Sequence, residues 1–236
     1  MMPVKICGIT NETDIRICSR LGARALGLVV EYPLPVPWNL TVQRAEALRR
    51  SIPSGISACM VAGGRPDDII ANARRVRPAF VQLHFEETLE ETTYIAKALA
   101  AERIGVIKAL RAGPDGRLLF EIEDPAQAAR LLAQTGVAAL LVDSGMANRP
   151  GGSGVAANPT VYRAIAAASS LPVVLAGGLT AQNLHITVPR DLPPCAVDVL
   201  SGVEAEPGKK DQEKVRAFLR AAESLPKRSG NLWSNP

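Results

Sequence analysis

The sequence predicts one α/β domain, a (β/α)8 (TIM) barrel of eight parallel strands, on three observations. Short apolar runs alternate strictly with segments of helical periodicity, eight times along the chain. The second run, Ala25 to Val30, is continuously apolar, as expected for a parallel strand that is covered on both faces. The 236 residues, 47% of them hydrophobic, suit a single barrel. We expect the barrel over residues 1–223 and a loose tail with a polar majority over 224–236.

The first half of the chain supplies four strand–helix units. An apolar strand from Val4 delivers Cys7 to its end, and Gly22 is placed to terminate the helix that follows. Thr41 is placed to cap the second helix, and Pro66 lies in the opening turn of the third. We predict the next three strands at 25–30, 56–61 and 79–83, and helices at 11–21, 41–50, from 66 onward and 88–101.

The second half supplies the remaining four units. Asp124 and Pro125 form a cap with proline in the first helical turn, and Thr180 precedes a short helix. Asp143 directly follows an apolar strand and precedes a glycine-rich loop. We predict strands at 104–109, 137–142, 172–175 and 196–199, and helices from 125, at 159–169, after 180 and at 211–222.

Composition excludes several classes of function. The net charge of +4 comes from scattered Lys and Arg, and only 4% of the residues are aromatic, so nucleic acid is not an expected partner. No apolar run reaches the ~20 residues of a membrane span, and no secretory segment precedes the first strand. The cysteines at 7, 18, 59 and 195 show neither close pairing nor metal-ligand spacing. We expect a cytoplasmic protein with reduced thiols, no metal site and no membrane contact.

Two residues at strand ends are candidates for proton transfer. A lone cysteine is usually core packing, but Cys7 ends the first strand, at the edge where ligands bind in parallel α/β folds. Asp143 ends the sixth strand at the same edge, and a shielded carboxyl group there can donate a proton. Cys7 can act as the complementary base if its pKa is depressed. Lys5, on the same face of the strand, is the expected source of positive potential.

Two glycine loops predict a phosphate site. Gly177 and Gly178 follow the seventh strand and allow the backbone to approach an anion closely. Ser201 and Gly202 follow the eighth strand and can open a short helix whose N–H groups face the same place. Barrels frequently bind phosphate there, and the mild positive charge is compatible with a small phosphorylated substrate.

Six motifs together resemble the phosphoribosylanthranilate isomerase family of tryptophan biosynthesis. They span almost the whole predicted barrel, in order and at suitable spacing, so the set is highly specific. The motifs are K-I-C-G-I-T at 5–10, F-V-Q-L-H at 80–84, L-L-V-D-S at 140–144, G-G-S-G at 151–154, L-A-G-G-L-T at 175–180 and V-D-V-L-S-G-V-E at 197–204.

The resemblance implies an aldose–ketose isomerase that needs no metal or cofactor and performs an Amadori rearrangement. The family's general base falls on Cys7 and its general acid on Asp143. The substrate phosphate would lie against the two glycine loops, and a loop containing Gly152 and Gly154 would close from the side. Gln82 and His84, at the end of the fourth strand, become candidate substrate contacts together with Lys5.

The chain departs from the family at two positions. The loop after the second strand usually carries an arginine for the anthranilate carboxylate, but this chain has Trp38 in a proline-rich segment there. Phe85 replaces the glycine that usually follows the Gln-Leu-His motif. Trp38 would either stack on an aromatic ring or anchor its loop. The predicted topology leaves three surrogate arginines on the active rim, Arg65, Arg111 and Arg149.

Other functions stay open at this point. A paralogue could perform the same rearrangement on a different phosphoribosylated amine, or a catalytically weak barrel could bind a phosphorylated metabolite. A cysteine hydrolase using Cys7 and His84 is a poor fit, because the first and fourth strands lie on opposite sides of a barrel. The sequence does not decide between a monomer and a homodimer.

Overall fold

A computed structural model describes residues 1–113, 115–144, 158–228 and 232–233. Eight parallel strands form a closed barrel, because the first strand pairs with both the second and the last. The predicted (β/α)8 fold is confirmed. Within the described ranges, no helix has the length and apolarity that crossing a bilayer requires. The barrel strands are β1 Val4–Ile6, β2 Ala25–Val30, β4 Ser57–Ala62, β5 Phe80–Leu83, β6 Gly105–Ala112, β7 Ala139–Ser144, β8 Val173–Leu175 and β9 Ala196–Val199.

Three further strands lie outside the barrel, and the sequence patterns did not predict them. The short strand β3, Asn39–Leu40, extends the sheet beside β2. A 3-10 turn over Ser201–Val203 leads into a hairpin of β10, Glu204–Glu206, and β11, Lys209–Lys210. Unlike the equally short β1 and β8, these strands contain no apolar run by which they could be recognised.

The helices surround the barrel and begin where their caps predict. The Thr41 side chain accepts a hydrogen bond from the backbone of Arg44, and Asp124 does the same for Gln127. Such bonds satisfy amides that have no partner inside the helix. The helices are α1 Glu12–Leu21, α2 Val42–Ser51, α3 Pro66–Val76, α4 Leu89–Ala100, α5 Pro125–Leu132, α6 Pro159–Ala168, α7 Leu184–Thr187 and α8 Gln212–Glu223.

Two strands run two or three residues further toward the loops than predicted, which changes what faces the barrel axis. β6 continues to Ala112 and β7 to Ser144, and their register pairs Arg111 with Asp143. Because side chains alternate along a strand, Arg111 follows Ile107 and Ala109 on the inward face. Arg111 and Asp143 are therefore neighbours at the rim.

The core forms two layers. The larger layer packs the outward faces of the strands against the helices, with side chains such as Leu26, Leu48 and Ile95 fully buried. The smaller layer fills the barrel interior and contains Ile107, Leu141 and several alanines. The interior is a packed core at the N-terminal end and opens only at the C-terminal end of the strands.

The C-terminal segment closes the N-terminal end of the barrel. Trp233 is only 4% exposed, and its ring meets that of Phe80 edge-on at a centroid distance of 5.4 Å. The Ser57 hydroxyl donates to the carbonyl oxygen of Trp233 at 3.1 Å, and the backbone of Arg228 bonds to Pro194. The expectation of a loose tail is therefore wrong at these residues. The sequence showed no partner for Trp233, because its partners are more than 150 positions away.

We expect Trp233→Ala to lower the free energy of unfolding by about 3 kcal/mol, the low end of the range for a buried tryptophan, because a chain end can readjust. Trp233→Phe should cost much less, since the indole N–H is buried without a partner in the described structure. Urea denaturation measures both. Ile186→Ala, at a residue that is 86% exposed, is the matched control and should have little effect. A Trp233→Ala protein as stable as that control would contradict the assignment of Trp233 to the core.

Candidate active site

One deep cleft opens at the C-terminal end of the barrel, with an empty volume of about 640 Å³ that includes space open to solvent. Residues from β1, β2, β4, β5, β7, β8 and β9 or the loops after them converge on it. Among the residues that line it are Cys7, Tyr32, Trp38, Gln82, His84, Asp143, Gly177, Gly178, Asp198, Ser201 and Gly202. The structure therefore brings together the predicted acid, the predicted base and both glycine loops.

Cys7 lies directly after β1 and is 5% exposed. A glycine on β2 makes room for its side chain, because a Cβ at Gly27 would fall 2.6 Å from the Cys7 sulfur. Gly8 has a positive φ of 74°, which lets the chain turn away immediately after the thiol. The thiol is thus held at the floor of the cleft rather than in the surrounding core.

A buried ion pair lies beneath Cys7. The Lys5 ammonium group donates to Asp198 Oδ2 at 2.8 Å, and the two residues are register partners on β1 and β9. Burial disfavours the charge on Lys5, yet Asp198 holds the pKa of Lys5 above its ordinary value. Asp198 Oδ1 is buried and has no hydrogen-bond partner in the described part of the chain.

The pKa of Cys7 is raised, not depressed. Burial of the thiol is the largest cause, and the opposing effect of the Lys5 charge does not overcome it. Asp198 raises the Cys7 pKa further because it places a negative charge close to the same sulfur. The depressed pKa that the sequence analysis required for a base is therefore not found in this structure, because burial of the thiol, with a smaller contribution from Asp198, outweighs the charge of Lys5.

Asp143 accepts a backbone hydrogen bond and lies beside a histidine. Its Oδ1 accepts from the Ser144 N–H at 2.8 Å, and its Oδ2 lies 3.1 Å from His84 Nε2. Gln82 Nε2 is 2.8 Å from His84 Nδ1, and with the amide as donor the ring hydrogen resides on Nε2, facing Asp143. That N–H is not aligned on the carboxylate well enough to form a hydrogen bond in this structure. Gln82 therefore orients the His84 ring beside the carboxyl group, and both residues line the cleft.

The two glycine loops pack directly against each other. Gly177 and Gly178 both have positive φ, 86° and 56°, and a Cβ at Gly202 would overlap the carbonyl oxygen of Leu179. The Asn183 side chain donates to the Gly178 carbonyl at 2.8 Å and fixes the first loop. This close approach needs glycine on both loops and leaves their backbone facing the cleft. Gly152 and Gly154, predicted for the same site, lie outside the described residues.

The loop after β2 is anchored and also contributes a wall of the cleft. Trp38 Nε1 donates to Glu204 Oε1 at 2.7 Å, and the same oxygen accepts from Lys210 Nζ at 2.9 Å. The Trp38 ring also covers Gly8, where a Cβ would lie 2.9 Å from Trp38 Cδ1. Both functions considered for this tryptophan are compatible with its position, because its edge is anchored while the residue lines the cleft.

Tyr32 forms the neighbouring part of the wall. Its hydroxyl donates to the carbonyl of His84 at 2.8 Å, which ties the loop after β2 to the end of β5. Phe85 packs edge-on against the Tyr32 ring at a centroid distance of 5.8 Å. Phe85 does not line the cleft and packs behind Tyr32, so it thickens the wall rather than narrowing the site.

The three arginines predicted to bind the substrate carboxylate differ in where they lie. The side chain of Arg65 is 82% exposed and lies near Asp68, so it takes no part in the cleft. Arg111 is buried at the rim beside Asp143, and its Nη2 is 3.5 Å from the Phe85 carbonyl. Arg149 lies outside the described residues.

Sequence reasoning missed Asp198, Glu204 and Tyr32. The signal for Asp198 was present, because a carboxylate inside an otherwise apolar strand needs a partner. Glu204 belonged to a quoted motif, but its partner Trp38 is 166 positions away. Nothing in the chain marks Tyr32, since a tyrosine among prolines is equally suited to packing.

The fold and the site define a (β/α)8-barrel enzyme that pairs a buried thiol with a carboxyl group across one cleft. The chain belongs to the N-(5'-phosphoribosyl)anthranilate (PRA) isomerase family, whose model matches residues 4–221. An N-(5'-phosphoribosyl)anthranilate isomerase of Halobacterium salinarum is 37% identical over 230 residues, 96% of this chain and 98% of the relative.

Solved structures agree with this assignment. The phosphoribosyl anthranilate isomerase of Thermotoga maritima superposes with a TM-score of 0.76 at 30% identity, over 95% of this chain and 100% of that one. A phosphoribosyl anthranilate isomerase in complex with reduced 1-(o-carboxyphenylamino)-1-deoxyribulose 5-phosphate gives a TM-score of 0.73 at 30% identity, with the same coverage.

We expect alkylation of Cys7 by iodoacetamide to keep accelerating above pH 9, because burial raises the pKa of this thiol. Asp198→Asn removes a negative charge and should move the titration to lower pH, whereas Lys5→Met removes a positive charge and should move it higher. Mass spectrometry of the Cys7 peptide measures the rate. Asp191→Asn, at an exposed residue paired with Arg163, is the charge-matched control. A wild-type midpoint below pH 8 would contradict this account.

Proposed function

We propose that this protein isomerises N-(5-phosphoribosyl)anthranilate to 1-(o-carboxyphenylamino)-1-deoxyribulose 5-phosphate, a step of tryptophan biosynthesis. The observation that carries the proposal is the convergence of Cys7 and Asp143 on one cleft that ends at the two glycine loops. Family membership supports it, as does the solved relative in complex with a reduced form of the product.

Asp143 is the proposed general acid. It transfers a proton to the furanose ring oxygen, the bond from that oxygen to C1′ breaks, and the nitrogen lone pair forms a C=N bond to C1′. The Asp143 carboxylate that remains is stabilised by the Ser144 N–H and by the nearby His84 ring. His84, oriented by Gln82, is therefore a positioning residue for the conjugate base.

Cys7 is the proposed general base. Once the ring is open, the Cys7 thiol releases its proton to the solvent that reaches the cleft. The thiolate removes the proton from C2′, electrons move onto the C=N nitrogen, and the resulting enolamine tautomerises to the ketone. The raised pKa of Cys7 fits the order of these steps. Opening the ring first produces a cationic iminium group, and a cation close to the sulfur lowers the pKa of Cys7, as the Lys5 charge does. The base is then formed when it is needed.

The substrate phosphate is proposed to bind between the loops after β8 and β9. Gly177, Gly178, Ser201 and Gly202 present their backbone to the cleft there. A phosphate at this end holds the ribose at a fixed distance from both reacting groups, and uniform binding of that kind lowers KM.

A second candidate function keeps the chemistry and changes the amine. The loop after β2 carries Trp38 bonded to Glu204 rather than a cation, so that loop supplies no charge for an aromatic carboxylate. This observation favours a paralogue acting on another phosphoribosylated amine. Turnover of phosphoribosylanthranilate, followed by the loss of anthranilate fluorescence, distinguishes the two, because the paralogue would be inactive on this substrate.

We expect Cys7→Ala and Asp143→Asn each to reduce kcat by at least about a thousandfold, while the affinity for the reduced product analogue changes by less than about threefold. Both groups act mainly in the transition state, so their loss appears in the chemical step. Stopped assays at high enzyme concentration measure the residual rate. Cys18→Ala is the matched control, because Cys18 is buried outside the cleft. Substantial activity in Cys7→Ala would remove Cys7 as the base.

For the phosphate site, we expect Gly178→Ala and then Gly178→Val to raise KM progressively, the larger change by at least about tenfold. The φ of 56° at Gly178 strains any side chain, and added bulk displaces the loop backbone from the anion. Inorganic phosphate should compete with substrate in the wild-type protein and less well in the variants. If saturating phosphate left KM unchanged, the anion site would lie elsewhere. Thermal melts check that each variant is folded.

A further inference from the structure

Buried positive charge is balanced by a carboxylate at three of four sites in the described part of the chain. The four buried cations are Lys5, Lys108, Arg111 and Lys210. Each lysine donates to a carboxylate oxygen at hydrogen-bond distance, so its charge is neutralised inside the protein. In the order of the lysines, these partners are Asp198 at 2.8 Å, Glu87 at 2.6 Å and Glu204 at 2.9 Å.

Arg111 is the exception. It is 7% exposed. Among the described residues it forms no ion pair, and its one hydrogen bond is the 3.5 Å contact from Nη2 to the Phe85 carbonyl. A guanidinium group carries several N–H donors in a fork that fits a carboxylate with two parallel bonds. A buried cation left without such a partner is costly unless a ligand supplies the anion.

The position of Arg111 matches the geometry of the proposed substrate. β7 lies between β8 and β6 in the sheet, so Asp143 has the Gly177 loop on one side and Arg111 on the other. The ring oxygen that takes the proton from Asp143 is bonded to C4′, toward the phosphate, and to C1′, toward the aminobenzoate. With the phosphate on the β8 side, the aminobenzoate extends toward β6 and β5.

The wall on that side is suited to an aromatic acid. Tyr32 and His84 line the cleft there, and the Arg111 fork reaches the carbonyl of Phe85, the residue after His84. Arg111 does not itself line the cleft in this structure. Turning its fork to a ligand exchanges one long hydrogen bond for a bidentate pair, which favours the ligand-bound rotamer.

Arg111 also repels a neighbouring buried cation, Lys108. The pKa of Lys108 is lowered, first by burial and further by the charge of Arg111, against the opposite effect of Glu87. Since Glu87 is already bonded to Lys108, the Arg111 charge remains available. An added carboxylate would relieve this repulsion.

We infer that Arg111 binds the carboxylate of the substrate's aminobenzoate group and so determines specificity for that acid. The inference rests on the proposed function and assigns a cation that the loop after β2 does not supply. Arg65, just before α3, is excluded by its exposure, and Lys5 and Lys210 are excluded because each is already paired with a carboxylate of the protein.

The test compares two ligands on the full-length protein by calorimetry. One is reduced 1-(o-carboxyphenylamino)-1-deoxyribulose 5-phosphate, and the other is the same compound made from aniline, without the carboxylate. We expect the wild type to bind the acid at least about tenfold more tightly than the aniline compound. Arg111→Met should abolish that preference by lowering the affinity for the carboxylate-bearing ligand alone. Arg111→Lys should keep part of the preference, because the positive charge remains although the forked guanidinium group is lost.

Arg65→Met is the matched control and should keep the full preference. If Arg111→Met lowered the affinity for both ligands equally, Arg111 would have a structural role and the inference would be overturned. It would also be overturned if Arg111→Met left the preference unchanged, or if Arg149→Met abolished the preference instead. Arg111→Lys preserves the buried charge, so the comparison stands if Arg111→Met does not fold. If the wild type turns over phosphoribosylanthranilate and Arg111→Met keeps the preference for the acid, only the assignment of Arg111 is overturned. A wild type that neither binds the acid nor turns over substrate overturns the proposed function with it.

Discussion

The ion pair between Lys5 and Asp198 is the interaction on which the rest of the site depends. It joins β1 to β9, the two strands whose pairing closes the barrel, at one register position. Removing either partner would leave a buried charge uncompensated, which typically costs about 3–5 kcal/mol. The pair therefore links closure of the sheet to the electrostatics of the cleft floor. Because the lysine charge is already balanced, burial dominates at Cys7 and the thiol is predominantly protonated in the free protein.

Small residues determine where the site has space. Gly27 admits the Cys7 sulfur, and Gly202 allows the loop after β9 to meet the loop after β8 at Leu179. Gly177 is equally confined, because a Cβ there would fall 2.9 Å from Asp143 Oδ1. The acid, the base and the proposed phosphate site are thus held at fixed separations by backbone contacts, which suits chemistry that depends on positioning.

A second polar centre holds the rim of the cleft. Glu204 Oε1 accepts from Trp38, Lys210 and the Gly208 backbone, so one carboxylate connects the loop after β2 with the β10–β11 hairpin. Tyr32 makes the corresponding connection to β5 through the His84 carbonyl. The wall that faces the proposed aminobenzoate is therefore braced at both ends. Its specificity then depends on the side chains behind it, and Arg111 is the one whose charge the protein leaves unbalanced.

The sequence by itself determined the barrel and most of its elements, because those signals are local. Apolar runs, helical spacing and caps such as Thr41 and Asp124 place β2, α2 and the start of α5 to within a residue or two. It also named Cys7 and Asp143, since a strand end is recognisable from the chain alone. Only the tertiary structure decided that the pKa of Cys7 is raised, that Trp233 is buried, and that Arg111 is buried at the rim while Arg65 is exposed. Each of these depends on partners far away along the chain, and charge balance and burial are properties of the assembled fold rather than of any segment.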